Sequence, residues 1–253
     1  MEYGLKQYIF VIRELTAREI KRKYSRSVLG ILWSVLNPLL FMFVMSFVFS
    51  GYASVKSIYP LYFITGYTIW TLFNTATTTS LTAFEDNKLL MQKTKLPREL
   101  FVLSRDYTAF VNLGFSLVAL FIVLFFFRVK LSWTLLLLPI TVLAELLFTI
   151  GVSLVLATTY VFYRDIKFLW HNLIVALVHM MAIYMPIERY PDNLRIYTEN
   201  NPIFIFADLS RQCIIYGTYD FHEMIKMICW SVIMFLIGIV TLKLKENEII
   251  KKI

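Results

Sequence analysis

The sequence predicts an all-α integral membrane protein, on three observations. Six apolar stretches fill most of the chain between Val28 and Leu244. Mean hydropathy is +0.67. The segments joining the stretches alternate between strongly and weakly basic. A helix needs about 20 residues to cross a hydrocarbon core about 30 Å thick, and each stretch reaches that length. Lipid offers exposed backbone amides no partner, so such runs must close their hydrogen bonds internally, as helices. A buried helix of a soluble protein could match one stretch, but six in succession argue against it.

The elements follow in chain order. Within residues 1–27, Leu5, Tyr8, Ile9, Ile12, Leu15, Ile20 and Tyr24 recur near helical spacing. Lys6, Arg13, Arg18, Lys21 and Arg22 fall mostly away from that side. An amphipathic basic helix is expected there, lying in the cytoplasmic interface plane. Residues 28–253 then read as one domain with spans near 28–50, 59–84, 100–127, 133–161, 168–187 and 224–244. In the first span, Gly30 is expected to permit close helix contact, and Pro38 to free a backbone carbonyl and allow a kink.

Between spans two and three, Asn87 is placed to cap a short helix whose apolar side is Leu89, Leu90, Met91 and Leu96, with Pro97 as its stop. A helix over 87–97, which also carries Lys93, is too short to fold alone and should dock on a partner. At the turn after span four, Arg164 and Asp165 are adjacent and cannot face each other on a helix. Each is expected to pair with another segment or to cap the fifth helix. The segment around 188–222 is long for a plain connection and is broken by Pro191 and by Asn201-Pro202. Its short apolar runs can dip into a membrane without crossing, a course tolerated only where backbone is buried in protein or faces water.

Charge orients the chain. Eighteen of the 25 Lys and Arg residues fall in the N-terminal segment, the second and fourth loops and the C-terminal tail; seven, including Arg128 and Lys130, fall on the other side. The positive-inside rule places both termini in the cytoplasm. The net charge of +8 then belongs to loops facing anionic lipid, and nucleic acid is not implied. No cleavable signal peptide is predicted. Cys213 and Cys229 lack metal spacing and are not read as a disulfide.

No Gly-x-x-x-x-Gly-Lys-Ser/Thr loop occurs, so the chain is not expected to hydrolyse ATP by that route. Well inside the spans, the candidates for acid–base chemistry are Glu145, His171 and His179. Glu145 costs about 2.5–3.5 kcal/mol at mid-membrane if it resembles Asp. His171 and His179 point about 80° apart on a helix, which argues against a metal pair. Trp33, Tyr62, Tyr67, Trp70, Phe73, Tyr160 and Tyr163 lie at span ends or along the first, second and fourth helices. An interfacial aromatic belt accounts for any one of them; together they could stack on the C–H faces of sugar rings.

The run from Ala17 to Pro38, with Tyr24-x-x-Ser27-x-Leu29-Gly30-x-x-Trp33 after a basic helix, resembles the opening of type-2 ABC exporter permeases for cell-surface polysaccharides. The Phe162-x-Arg164-Asp165-Ile166 turn and the Asn201-Pro202 pair followed by Arg211 are similar to that family's markers. The resemblance implies a homodimeric permease in the bacterial cytoplasmic membrane, served by two copies of an ATPase subunit that holds ATP and Mg. It implies no cofactor in this chain. Its cargo would be an undecaprenyl-diphosphate-type lipid-linked polysaccharide of O-antigen, teichoic acid or capsule type. Residues 87–97 would be the coupling helix, with Arg164 and Asp165 beside it, and 188–222 an extracellular re-entrant gate carrying Asn201, Pro202 and Arg211. Lys21, Arg22, Lys23 and Arg26 would receive the lipid head group. Trp33, Tyr62, Tyr67, Trp70, Phe73 and Tyr160 would line the channel. Two alternatives remain at this level: a permease for a drug or small lipid, and an integral-membrane transferase acting on lipid-linked sugars.

Overall fold

A computed structural model describes residues 5–25, 27–49, 58–94, 96–130 and 132–252. Eleven α-helices are present among them: α1 Leu5–Tyr24, α2 Trp33–Phe49, α3 Tyr59–Ser80, α4 Ala83–Asp86, α5 Lys88–Lys93, α6 Glu99–Phe126, α7 Leu138–Phe162, α8 Ile166–Met180, α9 Asp192–Glu199, α10 Pro202–Arg211 and α11 Phe221–Lys252. Short 3-10 turns at Gly30–Leu32 and Trp133–Leu137 lead into α2 and α7, a third covers Ile187–Arg189, and Gln212–Tyr216 is π-helical. No strand occurs among the described residues.

Four helical segments, Gly30–Phe49, Glu99–Phe126, Trp133–Phe162 and Phe221–Ile249, are long and apolar enough to cross a membrane. Helix α3 has the length but carries seven threonines, Asn74 and Ser80. It pays for that polarity locally: Thr68, Thr77 and Thr79 return their hydroxyls to the carbonyls of Ile64, Phe73 and Thr75 at 2.7–2.8 Å. It is also the central helix, packed by α2, α6, α7 and α10, and most of its residues are buried.

The fifth apolar stretch is shorter as a helix than expected. Helix α8 stops at Met180, 15 residues from its start, or about 22 Å at 1.5 Å per residue. Met181, Ala182 and Ile183 continue fully buried. Ala182 has φ 47°, a left-handed conformation that costs a β-carbon residue about 1–2 kcal/mol. In return its carbonyl receives the Tyr62 hydroxyl and the Arg211 guanidinium.

The most extensive helix pair is α7 with α11. A Cβ on Gly151 would lie 2.4 Å from the Met234 carbonyl oxygen, and one on Gly238 would lie 2.6 Å from that of Gly151. Glycine lets the two backbones touch, the device by which membrane helices gain packing without a hydrophobic drive. Gly30 does something else. Its φ is 51° and no described residue lies within 4 Å of its Cβ direction, so it serves a left-handed turn before α2 and makes no close helix contact among the described residues. Pro38 is buried within α2.

The outward surface is apolar to an extent that water would not tolerate. Phe43 and Phe47 on α2, Phe125 and Phe126 on α6, and Leu236 and Leu244 on α11 are all exposed.

Candidate functional site

The two ends of α3 carry the two candidate regions. Past its C-terminal end, α4 and α5 form a small platform. Asn87 lies between them but does not cap α5. Its amide donates back to the Ala83 carbonyl at 2.8 Å, and its Oδ1 accepts from Arg18 Nη2 at 2.6 Å. The helix also ends before Pro97. Thr94 turns extended after Lys93, and both its amide and its hydroxyl take the Leu90 carbonyl; Leu96 and Pro97 belong to the connection into α6. Leu90, Met91 and Leu96 pack inward on a second core built from Leu15, Phe84, Phe101, Leu154 and Leu242 among others. Leu89, 70% exposed, points away with Lys88, Gln92 and Lys93.

An ion-pair network ties this platform to its neighbours. Arg105 on α6 donates Nη1 to Glu19 of α1 at 2.6 Å and Nη2 to Asp86 of α4 at 2.7 Å. It is only 9% exposed. Arg164 pairs with Glu85 at 3.2 Å, and Glu85 also accepts the Tyr160 hydroxyl at 2.9 Å. Arg98 pairs with Glu246 of α11. Beneath the network Asp106 is buried, with Oδ1 accepting from Ser153 of α7 at 2.7 Å and from Ser80 of α3 at 3.2 Å. Asp165 precedes α8, is exposed and makes no side-chain cap. The Arg105-Asp106 pair went unused in reading the sequence for sites. Two adjacent charges inside an apolar run beginning at Leu100 were the available signal.

Lys21, Arg22 and Lys23 are exposed on the last turn of α1, where positive charge suits the helix dipole. Arg22, Lys23, Ser25 and Ser27 line a cavity of about 540 Å³. Arg26 lies outside the described residues. Tyr24 pins the end of α1, sharing a hydrogen bond with Ser34 of α2 and donating to Asn112 of α6 at 3.3 Å.

The six aromatic residues do not share one open face in the single chain. Trp33 is exposed, while Tyr67 stacks on Phe41 and Phe63 with centroids 5.3 Å away. Trp70, Phe73 and Tyr160 are buried, Phe73 against Phe148 and Trp170. Tyr62 lies at the other end of α3. Glu145 is buried in α7 and neither of its oxygens has a hydrogen-bond partner. His171 and His179 are exposed, and no group of three or more His, Cys, Asp or Glu among the described residues is placed to hold a metal ion.

At the N-terminal end of α3, Asn201 caps α10 by accepting the Ile203 amide at 3.0 Å, with Pro202 in the first turn where its missing N–H costs nothing. The helix is buried almost throughout, and Arg211 at its last turn is fully buried. Among the described residues Arg211 has no carboxylate partner. Its Nη2 donates to the Ala182 carbonyl at 2.9 Å and its Nε to the Tyr62 carbonyl at 3.3 Å, while the guanidinium lies 3.7 Å from the Tyr62 ring centre. Gly66 makes room for it: a Cβ there would fall 2.2 Å from Nη2. One cation thus holds α10, α3 and the end of α8 together.

The ABC-2 type transporter family matches residues 11–215. The chain is similar to the O-antigen export system permease protein RfbA of Klebsiella pneumoniae, 26% identical over 242 residues that cover 94% of this chain and 93% of the relative. It is also similar to the protein of that name from Myxococcus xanthus, 28% identical over 189 residues covering 74% and 73%. With several long apolar helices, these matches describe a multi-pass membrane permease, a transporter subunit rather than an enzyme. The chain belongs to the ABC-2 type transporter family.

Proposed function

We propose that this chain is the channel-forming subunit of an ATP-driven exporter that carries lipid-linked polysaccharide of O-antigen type across a bacterial cytoplasmic membrane. The observation that supports this most is the match, over 94% of the chain, to relatives named as O-antigen export permeases. In this reading α2, α3, α6, α7, α8 with the buried residues after it, and α11 make six crossings, and both termini are cytoplasmic. Two copies of the chain share a path at a twofold axis, which supplies a wider wall than six helices alone. Two ATPase subunits beneath them hold ATP and Mg.

The basic end of α1 draws the diphosphate of an undecaprenyl-type carrier; each Lys or Arg near an anionic surface contributes about 1 kcal/mol. The ATPase docks on the outward face of α5, at Lys88, Leu89, Gln92 and Lys93. Closure of the ATPase pair pushes α5, and the Arg105 bridge to Glu19 and Asp86 hands that push to α1 and α6. Arg164, bonded to Glu85, extends it to the α7–α8 turn. Trp33 and Tyr67 lie along the polymer path. The α9–α10 region is the outer gate, with Asn201 and Pro202 setting α10 and Arg211 anchoring it.

The test is surface polymer in cells carrying the chain with its ATPase, compared with cells lacking the chain. Loss of surface polysaccharide with accumulation of carrier-linked polymer inside is the expected result. Normal surface polymer without the chain, or loss of drug resistance as the only consequence, overturns the reading.

A further inference from the structure

At the α10 end of the molecule, a cavity of about 580 Å³ opens between α3, the Ile187–Arg189 turn, α10 and the π-helical segment. That volume lies within the range of sites that hold small organic ligands. Tyr62, Tyr216 and Tyr219 contribute rings to its wall, while Glu188, Asp208 and Asp220 contribute carboxylates against one cation, Arg189. Among the described residues none of these three carboxylates has an ion-pair partner. They are not gathered about a metal position either.

The polar wall is built rather than incidental. Gln212 donates Nε2 to Asp208 at 2.8 Å and accepts the Asp220 amide on Oε1 at 2.9 Å. Asp220 in turn accepts the His222 amide at 2.8 Å. One side chain therefore fixes a carboxylate of α10 and the start of α11 on the same rim. The π turn that carries Gln212 is a rare form that recurs at functional sites. It ends on Gly217 at φ 65° and leaves Tyr216 58% exposed at the mouth.

Rings that accept the C–H face of a pyranose, beside carboxylate and amide acceptors fixed for its hydroxyls, make a sugar site. The surplus negative charge makes it selective: a phosphate or uronate would meet three carboxylates on a wall whose one cation is Arg189, with Arg211 set behind the Tyr62 ring. We propose that this cavity binds an uncharged or amino-bearing sugar unit of the emerging polymer and disfavours polyanionic chains. The assignment rests on the polysaccharide-export reading and narrows its cargo to non-anionic glycans.

The full chain with its ATPase, in lipid nanodiscs, is titrated with a neutral mannose tetrasaccharide and with a glycerol-phosphate tetramer, binding being read by saturation-transfer NMR. The neutral probe is expected to bind at least tenfold more tightly. Tyr216→Ala should weaken it about tenfold, and Asp208→Lys should reverse the preference. Asp208→Asn, the milder change, should bring the two probes within threefold if the lysine variant fails to fold. Equal binding of both probes, no binding of either, or variants that bind as wild type overturn the site. Those results leave surface polymer dependent on the chain; loss of that dependence would instead defeat the export reading.

Discussion

The two ends of the molecule are fastened by opposite means. At the α5 end, charges pair with charges: Arg105 with Glu19 and Asp86, Arg164 with Glu85, Arg98 with Glu246. Several of these groups touch water; the Asp86 side chain is 41% exposed. At the α10 end a single buried arginine is held by two carbonyls and a ring, with no ion pair among the described residues. A distributed, partly wet network can exchange partners in small steps, each worth little. A buried cation has no partial state, because leaving its carbonyls strands a charge and two acceptors together. The first arrangement suits a surface that receives a push, the second a latch that stays shut until it releases as a whole.

The contrast can be broken at its strong end first. Arg211→Ala removes both donors from buried carbonyls, and each unsatisfied group costs about 1–3 kcal/mol. A loss of about 2–5 kcal/mol is expected in thermal denaturation of the detergent-solubilised chain. Arg211→Lys should recover less than half, since one ammonium cannot replace the planar fork over Tyr62. At the other end, Arg105→Ala should cost about 1–3 kcal/mol, discounted for the water that reaches Asp86. Salt sharpens the difference. At 1 M the screening length falls to about 3 Å, so raised salt should narrow the gap between wild type and Arg105→Ala while leaving that between wild type and Arg211→Ala unchanged. An equal salt response in the two pairs would show that the ends are not distinct in kind.

The smallest stability effect is expected at Leu89. Leu89→Glu should move stability by no more than about 0.5 kcal/mol, as exposed positions do, yet abolish export with its ATPase still turning over. Leu90→Glu, by contrast, places a charge in the core beneath α5 and should destabilise the chain. If both variants keep export, α5 is not where force enters.

Much of this architecture could be read from the residues. Apolar runs placed most of the long helices to within a few residues, because length and hydropathy are local properties, though α11 continues past Leu244 to Lys252. Asn201-Pro202 was read only as a break in its segment, although the cap and first turn of α10 that it forms are neighbours in sequence. What escaped depended on distant partners. The stop of α8 at Met180 follows from the Ala182 carbonyl being taken by Tyr62 and Arg211 from other helices. Asn87 looked like a cap until Arg18, 69 positions earlier, claimed its oxygen. Leu89 and Leu90 are indistinguishable as letters, and only Leu15, Phe84 and Phe101 decide which faces inward. Gly30 and Gly151 are equally plain in sequence; a positive φ explains the first and a touching backbone the second.

The meeting of Gly151 with Gly238 has a mechanical corollary. With no side chain interposed, α7 and α11 lie carbonyl to α-carbon, and sliding one past the other would drive atoms into overlap. They therefore travel as a single stiff plank. Whatever opens during a transport cycle must hinge on its borders, chiefly at the lightly seated α2, whose described residues are buried only at Ser34 and Pro38.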